Sequence, residues 1–429
     1  MHRNSIIYSG LRFWLRLTFR FYYREIQIIG NPNAVSADYP VIFAPNHQNA
    51  FVDAIIVHYA ANRQSVSLTR SDVFANPKLS SIFRHLKMIP VYRRRDGVDV
   101  VAQNKIVFDQ CADILDKKGS LLIFPEGNHG AEFKLRTLQK GFARIGFQAE
   151  DQANFNLGVH VVPVSINYEQ HDLFNGALMI AYAEPIRLDS YESEFREHPQ
   201  QAYKALKKEL EIKIKNGLVH IPAKGSFYET LNSIRRLFFD RKTDWQSQIT
   251  MMQSAAQNIS QEGFEAELQK AWEDYHSYTL QVKAPVKKSP RQKPSIATII
   301  LGFLWILIQI PFAVPGYLVH RMSFTICENI VRRNFVDPQF HNGVKLILSQ
   351  VISLVFYAII AFIICLIGFP LWLAILGVLL IFLSGIFAKF ALLNIQDFHK
   401  KWQFYRLTDE QFEIQQEKQF TVLKLLQAT

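Results

Sequence analysis

Three nearly uncharged apolar runs, at 296–319, 344–367 and 371–393, dominate the last third of this 429-residue chain. Each is about as long as a helix that crosses a hydrocarbon core of ~30 Å. Hiding all three from water would take a core far larger than a chain of this size builds. They predict transmembrane helices, in two or three hydrophobic segments over 296–395, and leave the preceding residues for a separate folded part.

The flanks of these runs carry the charge. Basic residues lie at 283–293, at Arg321, Arg332 and Arg333, and at Lys400 and Lys401, while the turn at 368–370 is uncharged. Positive residues favour the cytoplasmic side. A first run that breaks at Pro311 and Pro315 and turns back keeps every basic flank on that side, and this is the expected arrangement. The stretch 281–295 has three prolines and five basic residues and no acid, the composition of a linker. A polar tail is expected over 396–429, and a polar, amphipathic helical region over 196–280.

At the other end, Arg12, Arg16 and Arg20 recur every four residues among Phe13, Trp14, Leu17, Phe19 and Tyr22. Such a pattern suits an amphipathic helix in the lipid headgroup layer, expected over 1–30. The plainer reading is a buried helix whose arginines snorkel. No cleavage pattern of a signal peptide follows it. The three cysteines are widely spaced and form no CxxC, so neither a disulfide framework nor a metal site is expected, and a reducing compartment is.

Residues 31–195 alternate short apolar runs with helical stretches such as 98–117. "VIFAPNH", "LLIFPEGNHG" and "GVHVVPVSINY" read as buried strands of an α/β fold, a mixed sheet flanked by helices. Chemistry-bearing residues follow these strands. His47 and Asp53 are six positions apart, ~240° around a helix. They can meet only if His47 is on the loop after the strand and Asp53 in the first turns of the next helix. A histidine steered by a carboxylate is the usual device for taking a proton from a hydroxyl. The bland alternative is a loop histidine and an aspartate that meets the helix dipole. Arg93, Arg94 and Arg95 end the run "KMIPVYRRR" and could clamp a phosphate, or be a solvated charge run. Glu126 and Gly127 follow another strand. A glutamate there can hold a substrate hydroxyl or orient a basic partner, glycine leaves amides open to an anion, and Lys134 and Arg136 add charge.

Taken in order, "NHQNAFVD", "KMIPVYR", "FPEGNHG" and "VVPV" resemble the four blocks of the glycerophospholipid acyltransferase family, the PlsC-like glycerol-3-phosphate and lysophosphatidate acyltransferases. The resemblance covers about a third of the chain and makes 31–195 an acyltransferase domain. It implies that His47 is the general base, that Asp53 orients it, and that Arg93, Glu126 and Gly127 bind the acceptor's phosphate and glycerol part. Oxyanion donors are expected near Gly127 or in the His47 loop. The acyl donor would be acyl-CoA or acyl carrier protein as co-substrate, with no cofactor or metal. The family usually has four residues between His and Asp. The five here resemble the fungal-type glycerol-3-phosphate and dihydroxyacetone phosphate acyltransferases. Lys87 stands where the second block has Gly. Asn128, His129 and Gly130 stand where the third continues Thr-Arg-Ser, so Lys134 or Arg136 would replace the missing arginine.

The expected function is a membrane-bound acyltransferase that acylates glycerol 3-phosphate, its catalytic domain on the cytoplasmic side. A lysophosphatidate acyltransferase is the alternative within that chemistry, and a non-catalytic lipid-binding membrane protein the alternative of another class. The net charge of +11 does not indicate nucleic acid, because the basic residues flank apolar runs rather than forming a stripe on a soluble domain.

Overall fold

The computed structural model describes residues 6–74, 80, 84, 87–92, 99–239, 242–334 and 341–427. The chain divides into two units, one of residues 1–19, 26–171 and 178–219, the other of 20–25, 172–177 and 220–429.

The first unit is built on a mixed sheet. Its strands are β1 (Glu25–Ile29), β2 (Val41–Pro45), β3 (Val66–Arg70), β4 (Met88–Val91), β5 (Ser120–Leu122), β6 (His160–Tyr168), β7 (Ala177–Tyr182) and β8 (Ile186–Arg187). The order is β1-β7-β6-β2-β5-β3-β4, with β8 also on β6. β2 pairs in parallel with β5 and β6, and β3 with β4 and β5, while β7 and β8 run antiparallel to β6. The helices are α1 (Ile6–Tyr22), α2 (Ala50–Ala60), α3 (Val100–Asp116), α4 (Gly141–Gln152), α5 (Glu192–Glu197) and α6 (Pro199–Asn216). All of β2 is buried, which is why "VIFAP" is a continuous apolar run rather than an alternating one. On one face Ile42, Leu121 and Val161 pack with Leu115 of α3, Phe142 of α4 and Leu206 of α6. The Asp99 side chain caps α3 by accepting from the amides of Val101 and Ala102, so the helix starts two residues later than expected.

The amphipathic helix is shorter than expected. α1 ends at Tyr22 and Glu25–Ile29 is a strand, because Ile26, Ile28 and Ile29 favour the sheet. Among its described side chains Arg20 is exposed, but not all face outward. Arg16 Nε donates to Tyr59 O at 2.8 Å, and Phe19 is fully buried, whereas Phe13 is 65 % exposed.

The second unit is helical: α7 (Gly225–Ile234), α8 (Trp245–Asn258), α9 (Phe264–Gln281), α10 (Ile296–Asn334), α11 (His341–Leu366), α12 (Leu371–Tyr405) and α13 (Asp409–Gln427). Among the described residues, α10, α11 and α12 are the helices long and apolar enough to cross a membrane. α10 continues through Pro311 and Pro315, where a break was expected. The Ser384 hydroxyl of α12 accepts from Gly316 N at 2.7 Å and donates to Phe312 O at 2.6 Å. It thus stands in for one backbone bond lost near the prolines. The 281–295 stretch is held along α13 rather than strung as a free linker. The Gln415, Gln416 and Gln419 side chains donate to the carbonyls of Pro285, Pro290 and Lys287, partners a proline-rich backbone cannot find in a helix or sheet.

Candidate active site

The site forms at the carboxyl ends of β2, β5 and β6, where open α/β sheets place their ligands. It starts with Asn46, fully buried one residue after β2. Its side chain donates to Ile166 O at 3.1 Å and accepts from Ile166 N at 2.7 Å. The amide thereby extends the β2–β6 pairing by one rung and releases the backbone into a loop at His47.

His47 Nδ1 lies 2.8 Å from Asp53 Oδ2. Asp53 is in the first turn of α2 and has no exposure. Its Oδ2 also accepts from the amides of Gln48 at 2.8 Å and Asn49 at 2.7 Å, in the manner of a capping box. The Tyr168 hydroxyl, at the end of β6, donates to Oδ1. Four donors converge on one carboxylate, which accepts only, so the ring proton sits on Nδ1 and Nε2 keeps a lone pair. The ring stacks on Phe124, with centroids 3.8 Å apart. Ala50 closes the loop at φ +35°, a conformation that non-glycine residues rarely adopt. Such local strain recurs at functional sites.

Glu126 and Arg136 hold the His47 backbone. Glu126 Oε1 accepts from His47 N at 2.8 Å, and Arg136 Nη1 donates to His47 O at 3.3 Å. The two side chains face each other at 3.5 Å. Of the two roles open to a glutamate here, orienting a partner is the one the contacts show, since its side chain is fully covered. Burial pushes Glu126 up to about 7, against the lowering by the His47 amide and the Arg136 charge. His129, with its ring 5.3 Å from that of His47, is lowered to about 4, chiefly by burial. It therefore carries no charge at neutral pH. Gly127 sits at φ +68° in the tight turn after Pro125. Lys134 pairs with Glu132 at 2.7 Å. Arg93 lies outside the described residues, just after β4.

Four of the amides where oxyanion donors are expected have partners within the protein. Gly127 N donates to Phe124 O at 3.1 Å, His47 N goes to Glu126, and the next two amides go to Asp53. Sequence reasoning missed Tyr168, Asn46 and Phe124. The signals were present: Tyr168 closes the run "VVPVSINY", and Phe124 opens "FPEG".

Residues 27–167 match the family model described as Acyltransferase. The chain is 30 % identical over 168 residues to glycerol-3-phosphate O-acyltransferase 2 of Saccharomyces cerevisiae, covering 37 % of this chain and 22 % of that protein. It is 24 % identical over 167 residues to the chloroplastic 1-acyl-sn-glycerol-3-phosphate acyltransferase LPAT1 of Arabidopsis thaliana, covering 38 % of this chain and 42 % of that one. The crystal structure of PlsC, the 1-acyl-sn-glycerophosphate acyltransferase from Thermotoga maritima, aligns with a TM-score of 0.37 at 17 % identity, over 51 % of this chain and 81 % of that chain. The chain spans less than half the length of these two curated relatives. Over residues 27–167 it carries an acyltransferase-family region.

Proposed function

We propose that the protein is a membrane-bound O-acyltransferase that moves a fatty acyl group from acyl-CoA or acyl carrier protein to a hydroxyl of glycerol 3-phosphate. The observation that carries this reading is the His47–Asp53 pair at 2.8 Å, its carboxylate saturated by donors. Nε2 takes the acceptor's hydroxyl proton as the oxygen attacks the thioester carbonyl. The imidazolium is stabilised by Asp53. Collapse of the tetrahedral intermediate breaks the C–S bond, and Nε2 returns the proton to the leaving sulfur. Such general acid–base work contributes about 10²–10⁴-fold. Arg93, after β4, is assigned to the acceptor phosphate, with Lys134 adding positive charge. Glu126 and Arg136 act on the acceptor through the His47 loop they hold, and Gly127 is assigned to the acceptor's phosphate and glycerol part. The spacing of His47 and Asp53 supports the fungal-type subgroup. The catalytic part is assigned to the cytoplasmic side, where basic flanks collect.

A second reading, a 1-acyl-sn-glycerol-3-phosphate acyltransferase, is favoured by the names of four relatives, from Arabidopsis, Brassica, Chlamydomonas and Cocos. Purified protein offered labelled glycerol 3-phosphate and labelled lysophosphatidate in separate assays decides between them. His47→Ala is expected to lower kcat by at least about 10²-fold with the fold retained. Turnover near the wild-type rate would remove the acyl-transfer mechanism, and acylation of neither acceptor would remove both readings.

A further inference from the structure

α10 and α12 run antiparallel. Gly302 faces Phe398, Asn394 Nδ2 donates to Gln309 Oε1 at 2.8 Å, and Gly316 meets Ser384. Between them lies a cleft of about 560 Å³. Its walls are mostly aromatic and apolar, among them Phe312, Phe387, Phe390 and Phe398, with the paired Gln309 and Asn394 midway, and Thr298, Asp397 and Lys401 line one end. That volume and lining suit an extended acyl chain rather than a polar metabolite.

The polar end lies where two basic stretches meet the cleft. Residues 281–295 carry five basic side chains and no acid, and residues 396–406 carry three, with Asp397 the one acid there. The stretch 281–295 ends one residue before α10 begins, and the glutamines of α13 fix its course. Ala284 packs with Phe404 in one cluster, which brings the two stretches together. Lys283, Lys288, Arg291 and Arg406 are exposed. Lys401 pairs with Asp397 at 2.8 Å, and Lys293 with Asp409 at 2.8 Å. Basic clusters of this size beside a membrane helix attract anionic lipid.

We propose that this cleft is a binding site for one anionic phospholipid. An acyl chain lies along the phenylalanines, and the phosphate is held at the Lys401 end. The inference goes beyond the acyl-transfer reading and does not depend on it, since its readout is binding. The site selects headgroup charge, and each lysine contributes about fivefold in affinity.

The test uses the purified full chain in vesicles of phosphatidylcholine, with brominated phosphatidylglycerol or brominated phosphatidylcholine added at equal fraction. Trp305 lines the cleft, so its fluorescence, isolated by difference from Trp305→Phe, reports occupancy. Brominated phosphatidylglycerol is expected to quench it more strongly. Lys401→Gln should cut that preference roughly fivefold. Asp397→Asn, which releases Lys401 from its ion pair, should raise it, and this variant tests the idea even if the lysine variant fails to fold. Equal quenching by the two lipids, or a preference unmoved or lowered by Asp397→Asn, overturns the site.

Discussion

The orientation of His47 is set by what Asp53 already holds. The carboxylate spends one oxygen on two amides and the ring, and the other on Tyr168. Tyr168→Phe keeps the ring and its packing but strips one donor from a buried anion. A hydrogen bond to a charged group contributes about 1.5–3 kcal/mol. The carboxylate is then held less firmly against the ring. kcat should fall about tenfold, with KM for the acceptor unchanged. A stability loss with kcat unmoved would make Tyr168 a packing residue only. Glu126 supplies a second prediction. Burial raises it to about 7, above the ~4.3 of an unfolded chain. A raised carboxyl contributes stability that is fully present below ~4 and is lost as pH rises through about 7, an effect of about 3 kcal/mol. Wild type should therefore lose stability relative to Glu126→Gln between pH 5 and pH 8 in denaturant unfolding, and a pH-independent difference would refute this. The His47–Asp53 pair was legible because both residues sit in one strand–loop–helix stretch. Tyr168 and Asn46 were not, because their partners lie more than a hundred residues away in sequence and only the β2–β6 register brings them together.

At the scale of elements, α10 was legible as a long apolar segment but not as one continuous helix. Proline removes a donor and predicts a break, and the group that bridges the gap lies 68 positions on in the sequence. The Ser384 contact needs a close approach. A Cβ on Gly316 would lie 2.1 Å from Gly385 N, and one on Gly385 would lie 2.3 Å from His320 Nε2. Small residues of this kind let membrane helices touch backbone to backbone. His320, in turn, lies 3.0 Å from the Tyr357 hydroxyl of α11, so polar contacts tie three apolar helices that have no hydrophobic force between them in lipid. Ser384→Ala should cost about 1–2 kcal/mol, and Gly316→Leu should separate α10 from α12 altogether. Crosslinking of Gln309→Cys with Asn394→Cys measures this. Efficient crosslinking that persists with Gly316→Leu would show that the glycine is dispensable. By contrast, the turn at 368–370 was legible because its device is local. Gly368 adopts φ +95°, and Gly368 N and Phe369 N donate to the carbonyls of Cys365 and Ile364, the Schellman arrangement that ends a helix at glycine.

The whole chain must then place its basic flanks relative to the bilayer. The expected solution made the first run re-entrant and kept every basic flank on one side, but α10 is continuous and antiparallel to α12, which gathers 281–295 and 396–406 at one end of the pair and leaves Arg332 and Arg333 at the other end of α10. α11 does not lie along α10. Its contacts Lys345 and Tyr357 span ~18 Å of helix, while their partners Cys327 and His320 span ~10 Å, so the two cross at a wide angle. If α10 and α12 are the pair that traverses the membrane, the stretches 281–295 and 396–406 emerge on one face. Their eight basic residues, against Arg332 and Arg333 at the far end of α10, favour the cytoplasmic side for that face. Single cysteines at Gln292 and Thr408, in a background without Cys111, Cys327 and Cys365, should then react together with an impermeant thiol reagent in inverted vesicles and stay protected in intact cells. Labelling of the two from opposite sides would mean an odd number of crossings between them and would separate the flanks that the antiparallel pair brings together.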